Sequence, residues 1–515
     1  MKWYGNGPLY LFFASVIAVL LLILIKTSNK MPTVTPDVKH DKGAVAAVSE
    51  ICCETGKDML KCNGSAVDAA IAALLCASVV NPHSMGIGGG VVFTIYNAST
   101  GKVETIDARE TAPMSASRNM FDNESQKTNP GLLIAVPGEL RGYELAHKRH
   151  RRLKWKELFE PSIKLAFDGF KLDNALAKAI QKNENMILKS ETDVFCQPNC
   201  TTLKENDTIR FPQLAATYCR IAEEFLHYLP MKFCLNLCFK GGIITHQDLK
   251  DYKPALNESA LNFTILNDYG MSSSNVSTDG KKKLTYHRMI ETFRLASYDE
   301  SKLREQHPDN VNAFVQNMIS DDYAAFIRRQ MKDDTTKQLS NKEERILCED
   351  FGTSHLSVIA GDGSAVAVTS SINNHFGSKV MSRSTGIIFN DQMCDFRYAR
   401  LIKPGTKPPS SMSPTIILDE DKPKNELVKM VVGASGGRYI TSATAQVTKH
   451  NSTDISMAQL LHNKLKVILN YLFFGYNLQK AVQEPRVHSH YFLKYETTTA
   501  SRWQQVTVLM SELNP

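Results

Sequence analysis

The sequence predicts a layered protein of mixed helices and strands, of α/β or α+β class. Three observations carry that prediction. Segments of helical period alternate with short apolar runs of strand character, the helical segments flank the strands, and the second half is the richer in strands. A chain of 515 residues with 43% hydrophobic residues can bury a large core, as one big domain or two closely associated ones, and it contains no internal repeat.

In chain order, residues 1–8 read as a cytoplasmic tail. Leu9–Ile25 is a charge-free apolar run of 17 residues, the lower end of what spans a bilayer. Lys-Thr-Ser-Asn-Lys-Met follows it instead of the small residues of a cleavage site, so a retained signal-anchor is expected over residues 9–25, with a polar stalk over 26–42. Lysines on both sides leave the orientation open by charge. The sequons decide it: Asn97, Asn123, Asn199, Asn206, Asn257, Asn262, Asn275 and Asn451 each open an N-x-S/T triplet, which predicts an extracellular body on a single-pass type II plasma-membrane protein. Asn63 also opens one, but it precedes an apolar helix and reads as a cap.

From Gly43 the chain is globular. Ser65–Leu75 (SAVDAAIAALL) has helical spacing, with Asn63 and Ser65 as candidate caps. Gly86–Gly90 is a tight glycine turn, without the lysine of a phosphate loop, running into the buried strand Val91–Tyr96. Trp155–Phe170 and Pro212–Phe225 have helical periodicity, and polar, serine-rich Asn257–Gly280 reads as a loop. Ser354–Ala360 and Ala365–Ser371 flank Gly361-Asp362-Gly363-Ser364 and predict a β-hairpin. Leu427–Val432 is a further strand that ends in Gly433-Ala434-Ser435-Gly436-Gly437.

The net charge of +7 is small for this length. The basic clusters His147–Lys156 and Lys281–Lys283 lack aromatic or glycine-rich nucleic-acid modules, so they read as solvated helix faces and no nucleic-acid partner is expected. Eleven cysteines in an oxidising compartment should pair in part, with Cys52–Cys76 and Cys196–Cys200 as candidates. No Cys-x-x-Cys or His-x-x-x-His spacing suggests zinc, and neither a metal nor another cofactor is expected.

Gly352-Thr353 heads the hairpin. A threonine hydroxyl is a poor nucleophile without a base, but a chain cut before Thr353 would supply its own, since the new α-amine reaches the hydroxyl of the same residue. That amine titrates near pH ~8, so part of it is neutral under physiological conditions. Glycine before the cut removes steric hindrance to attack.

The residues Gly352–Val358, Ala365–Asn373, Phe376-Gly377-Ser378, Ser410–Thr415, Val432–Gly437 and Ala481–Arg486 resemble the small-subunit motifs of γ-glutamyltransferases (glutathione hydrolases). Asn63–Gly90, Asp107–Pro113 and Val136–Gly142 are similar to the large-subunit motifs, and the likeness covers most of Gly43–His488 in order. The resemblance implies an N-terminal-nucleophile hydrolase with a four-layer αββα sandwich, cut into a large subunit, 43–352, and a small catalytic subunit, 353–515, that stay together as a heterodimer. It implies transfer of the γ-glutamyl group of glutathione and related compounds through Thr353 to water or to amino acid or dipeptide acceptors. It also implies roles: Arg109, Ser410 and Ser411 for the donor's carboxylate, Asp395 with Asn373 and Gln392 for its ammonium, Gly436 and Gly437 as oxyanion hole, and Ser371 beside the nucleophile. His355, close to Thr353, is read as structural.

Four departures stand out. Met271–Lys283 is polar and lysine-rich where the family has a long apolar helix, so that helix is expected to be missing. Phe225–Lys240 is unusually apolar, Lys449–Lys464 looks inserted ahead of the helix Val467–Phe474, and the chain diverges after His490, so late strands of the small subunit are expected to be lost. Two other readings follow: an uncleaved, inactive surface glycoprotein, or an N-terminal-nucleophile amidase for another acyl group.

Overall fold

The computed structural model describes residues 43–188, 193–224, 241–261, 272–285, 287, 288, 291, 295, 311–318, 320–335, 352–399, 402–408, 410, 412–419, 421–436, 486–489, 495–498 and 506–510. The expected anchor Leu9–Ile25, the segments Phe225–Lys240 and Lys449–Lys464 and the helix Val467–Phe474 lie outside them. Among the described residues no helix is long and apolar enough to cross a membrane.

Strand β1 (Gly43–Ala46) leads into helix α1 (Glu50–Lys61) and helix α2 (Ala66–Val80). Ser65 caps α2 in a capping box: its hydroxyl accepts the Asp68 N–H at 3.0 Å, and Asp68 Oδ2 accepts the Ser65 N–H at 2.9 Å. Asn63 is not the cap. It sits at φ 64°, and its N–H and that of Gly64 return to the carbonyls of Leu60 and Met59, so it terminates α1 instead. Every residue of α2 is buried, as a helix apolar on all sides requires. A disulfide, Cys52–Cys76, ties α1 to α2.

There follow β2 (Gly90–Asn97), β3 (Lys102–Ala108), α3 (Glu139–His150), α4 (Trp155–Asp168), α5 (Pro212–Glu224), β4 (Ala255–Asn257), β5 (Gly352–Ala360), β6 (Ala365–Asn373), α6 (Cys394–Ala399), β7 (Thr415–Leu418), β8 (Val428–Ala434) and β9 (Val506–Met510). One antiparallel sheet has the order β1-β5-β6-β2-β3-β4, and a second the order β9-β8-β7. Strands from both sides of Gly352 therefore share one sheet.

Alternation along the hairpin separates two faces. Leu356, Val358, Val366 and Val368 join α2–α5 in the main core, whereas Ile359, Ala365 and Ala367 meet Val428 and Val431 of the second sheet. The fold is α+β, and the described residues supply a helical layer over one sheet and a second sheet beneath, three of the four layers expected.

Several expectations are corrected. Asn257 ends a strand, and residues 279–285 are helical, so a helix does begin after Met271, burying Thr285, Glu291 and Leu295. A late strand is present, since β9 pairs with β8 in register Met430↔Met510 to Ala434↔Val506. No bridge joins Cys196 to Cys200: Cys196 is registered with Thr202, and Cys200, an exposed thiol, turns the corner between them at φ 60°.

The basic cluster is the solvated face expected, with Lys148, Arg149, Arg151, Arg152, Lys154 and Lys156 all exposed, and several of its members pair with carboxylates. Arg149 and His150 both bond Glu104, Arg152 pairs with Asp362 and Lys156 with Glu223, and Trp155 is buried, its indole N–H donating to the Ile221 carbonyl at 3.1 Å.

Candidate active site

Thr353 and Ser371 share the face of the first sheet that looks toward the second. A bulge between Gly352 and Thr353 pairs Gly352 with Asn373 and Thr353 with Ser371. Both hydroxyls are buried, 3.0 Å apart. Ser371 Oγ donates its proton to the Gly352 carbonyl at 2.6 Å and accepts the Asn373 N–H at 2.9 Å. A hydroxyl has one proton, so Thr353 must be the donor to Ser371. The chain is glycine at 352 because the opposing backbone leaves no room: a Cβ there would stand 2.4 Å from the Asn374 carbonyl oxygen.

The second sheet supplies the other wall. Ser357 Oγ donates to the Val431 carbonyl at 3.3 Å, and the His355 ring covers Gly433. Ser435 and Gly436 follow directly on β8. Gly436 has φ +123°, a conformation that favours glycine, and Gly437 lies outside the described residues. His355 is buried, its ring nitrogens bonded to Thr369 and Ser357 at 2.8 and 3.1 Å, which leaves it a structural role.

Arg109 follows β3 and is 4% exposed. Its carbonyl accepts the Tyr252 hydroxyl at 2.6 Å. Its guanidinium donates to Gln392 Oε1 at 3.1 Å, meets Glu110 at 3.2 Å and reaches Asp395 at 3.8 Å. Gln392 Nε2 in turn bonds Asp395 Oδ2, and Asn373 Nδ2 approaches Asp395 Oδ1 at 3.4 Å. Arg109, Asn373, Gln392 and Asp395 thus form one connected network, in which the Arg109 cation and the Asp395 carboxylate also meet directly. Ser410 stands apart: it is exposed, and its hydroxyl accepts the Met412 N–H at 3.1 Å. Ser411 is outside the described residues.

Sequence reasoning missed the support beneath this network. Burial raises the pKa of Glu110 against the opposing effect of Arg109. Glu139, fully buried and pushed well up by burial, takes hydrogen bonds from Ser370 and Tyr143 and so braces β6 from the helical side. Asn390 saturates both ends of its amide on Gly88, Ala135 and Gln392. The glycine run exists for this close approach, since a Cβ on Gly89 would stand 2.1 Å from the Ser371 carbonyl oxygen. Glu110 and Glu139 lie inside the segments Asp107–Pro113 and Val136–Gly142, whereas nothing local marks Asn390. Among the described residues no group of three His, Cys, Asp or Glu could hold a metal ion.

A sequence-family model described as Gamma-glutamyltranspeptidase matches residues 52–265 and 259–508. Scoloptoxin SSD14 of Scolopendra dehaani is 36% identical, over 90% of this chain and 84% of its own length. The glutathione hydrolase 5 proenzyme of Mus musculus is 35% identical over 87% and 81%. Among solved structures, cephalosporin acylase from Bacillus halodurans matches with TM-score 0.68 over 89% of this chain and 86% of that one, at 22% identity. The gamma-glutamyltranspeptidase of Helicobacter pylori matches with TM-score 0.52 over 60% and 99%, also at 22%.

Proposed function

The chain belongs to the gamma-glutamyltranspeptidase family of N-terminal-nucleophile hydrolases, and from that premise we propose that it cuts itself before Thr353 and then removes γ-glutamyl groups from glutathione and its conjugates. The observation that carries the reading is the order of protons at the head of β5, from Thr353 to Ser371 to the Gly352 carbonyl. It suits attack of the Thr353 hydroxyl on the Gly352 carbonyl carbon. The C–N bond then breaks, the Thr353 nitrogen takes a proton, and the resulting ester is hydrolysed by water. What remains is a threonine with a free α-amine.

That amine is the base for turnover. Thr353 Oγ1 adds to the γ-carbonyl of the donor as the amine takes its proton. The oxyanion meets the N–H groups of Gly436 and Gly437, each such donor typically contributing about 10²–10³ in rate. The leaving amine takes the proton, and a γ-glutamyl ester of Thr353 remains for water, an amino acid or a dipeptide to open. Arg109 takes the donor's α-carboxylate with a planar fork, assisted by Ser410 and Ser411. Asp395, with Asn373 and Gln392, takes its α-ammonium.

The apolar run at residues 9–25 and the sequons support an extracellular body on a type II plasma-membrane anchor. Of the sequon asparagines, Asn123, Asn199, Asn206 and Asn257 are exposed, Asn97 and Asn275 are half-buried, and Asn262 and Asn451 lie outside the described residues.

Gel electrophoresis of the expressed protein, with N-terminal sequencing of the smaller fragment, tests the cut. Two fragments, the second starting at Thr353, are expected, and Thr353→Ala should remain one band without γ-glutamyl-p-nitroanilide turnover. A single band from the unmodified chain would favour the uncleaved glycoprotein. Preference for glutaryl-p-nitroanilide, which keeps the carboxylate but lacks the α-ammonium, would favour the amidase.

A further inference from the structure

Arg109 is the cation of the donor network, and side chains hold its main chain on both sides. Asp107 Oδ1 accepts the Arg109 N–H at 2.9 Å, and the Tyr252 hydroxyl donates to the Arg109 carbonyl at 2.6 Å. The place of the guanidinium is therefore set in part by how the Asp107 carboxylate is turned.

A lysine from far downstream turns it. Lys407 Nζ stands 3.0 Å from Asp107 Oδ2 and donates to the Asp107 carbonyl at 2.6 Å. One carboxylate oxygen thus faces Arg109 and the other faces Lys407, and the second contact of the ammonium, to the main chain, fixes its direction. The backbone beside Lys407 docks on the same stretch of chain. The Thr406 carbonyl accepts the Ala112 N–H at 2.8 Å, and the Gly405 N–H donates to the Ala112 carbonyl at 2.9 Å. These contacts bracket Arg109, at residue 107 on one side and residue 112 on the other.

The pair is partly open to solvent, the Lys407 side chain 25% and the Asp107 side chain 43% exposed. Such a pair adds little to overall stability. Its consequence is local, because an Asp107 carboxylate released by Lys407 is free to turn toward water and leave the Arg109 N–H without its acceptor. A looser arginine must then be ordered by the donor itself, at a cost in affinity.

We propose that Lys407 is a positioning residue for Arg109: it locks the Asp107 carboxylate in the orientation that holds the Arg109 main chain. A side chain downstream of Gly352–Thr353 thereby sets the place of a cation upstream of it. The effect on donor binding rests on the reading of Arg109 as partner of the donor's α-carboxylate, while the lock itself does not.

The test compares the full-length unmodified protein with K407M, K407R, D107N and the double variant K407M/D107N. It reads KM and kcat for γ-glutamyl-p-nitroanilide, the fraction cut before Thr353, the thermal midpoint, and hydrogen exchange of the Arg109 and Ala112 amides. K407M should raise KM about fivefold, the scale of a partly exposed ion pair. Its kcat should stay within about twofold, because the lost alignment is of the donor and not of Thr353. Cutting and midpoint should be nearly unmoved, K407R should restore most of KM, and the Arg109 and Ala112 amides should exchange faster in K407M. The double variant should be no worse than D107N, since the two side chains act through one contact.

Unchanged KM in K407M overturns the proposal, and so do additive effects on KM. A fall in midpoint and in cutting that accompanies the rise in KM overturns it as well, since that is general loosening. If K407M does not accumulate, D107N takes its place on the same readings. Hydrogen exchange needs no turnover. An unmodified protein that does not react with γ-glutamyl-p-nitroanilide would sink the donor reading alone. Faster exchange of the Arg109 amide in K407M would then support the lock, and unchanged exchange would overturn it.

Discussion

Ser371 Oγ stands 3.0 Å from Thr353 Oγ1 with its own proton committed to the Gly352 carbonyl. The serine thus accepts from the Thr353 hydroxyl and polarises the carbonyl that this hydroxyl would attack in the proposed cut. Ser371→Ala removes both contacts. Cutting before Thr353 should slow by about 10²-fold, followed as band conversion over time, and Ser371→Thr, which keeps the hydroxyl, should restore most of it. Unchanged conversion in the alanine variant would reject the proton path.

Arg109→Lys keeps the charge but loses the planar fork that bonds Gln392 and reaches toward Asp395. KM for γ-glutamyl-p-nitroanilide should rise by about 10–100-fold, the worth of a charged hydrogen bond, while cutting before Thr353 proceeds. Steady-state kinetics on the matured protein checks this.

Glu104 is expected to make the body acid-sensitive. Burial alone would raise its pKa, but hydrogen bonds from His150 and Arg149 overcome that and hold it at about 2. The folded state binds this proton less tightly than the unfolded chain, whose carboxyl titrates near 4.5. The contribution of Glu104 is therefore complete above pH 4.5 and is lost as pH falls toward about 2. Glu104→Gln should melt lower at neutral pH, and the gap to unmodified protein should close across that acid window. A gap that stays constant with pH would refute the assignment.

The Cys52–Cys76 disulfide closes a loop with a sequence separation of 24. Replacing both cysteines by alanine should cost about 3 kcal/mol through the unfolded chain's regained freedom, read as a lower midpoint in a denaturant titration. Loss of secretion would be the cellular counterpart.

The hairpin of β5 and β6, helix α2 and the strand after the glycine run were legible because each has a local signature: a two-residue or 3.6-residue period bounded by turn or cap residues. Boundaries and caps were less so. Asn63 and Ser65 looked equally suited to cap α2, and only the path of the chain out of α1 put Asn63 in a left-handed turn. The helix at residues 279–285 was hidden because its first turns are polar and lysine-rich, with Lys281 and Lys283 facing solvent.

By itself the sequence marked Gly352-Thr353 at the head of a strand, while the candidates for donor recognition came from the resemblance of its motifs to those of γ-glutamyltransferases. The tertiary structure decided which of them meet. Arg109 and Gln392 are 283 positions apart and bond only because β3 shares a sheet with β6, against whose end the segment before α6 lies. Ser410 was in the same set and stays at the surface. The bracing of β6 by Glu139 was invisible beforehand, because the role of a buried carboxylate depends on which donors folding brings around it, and no local period encodes that.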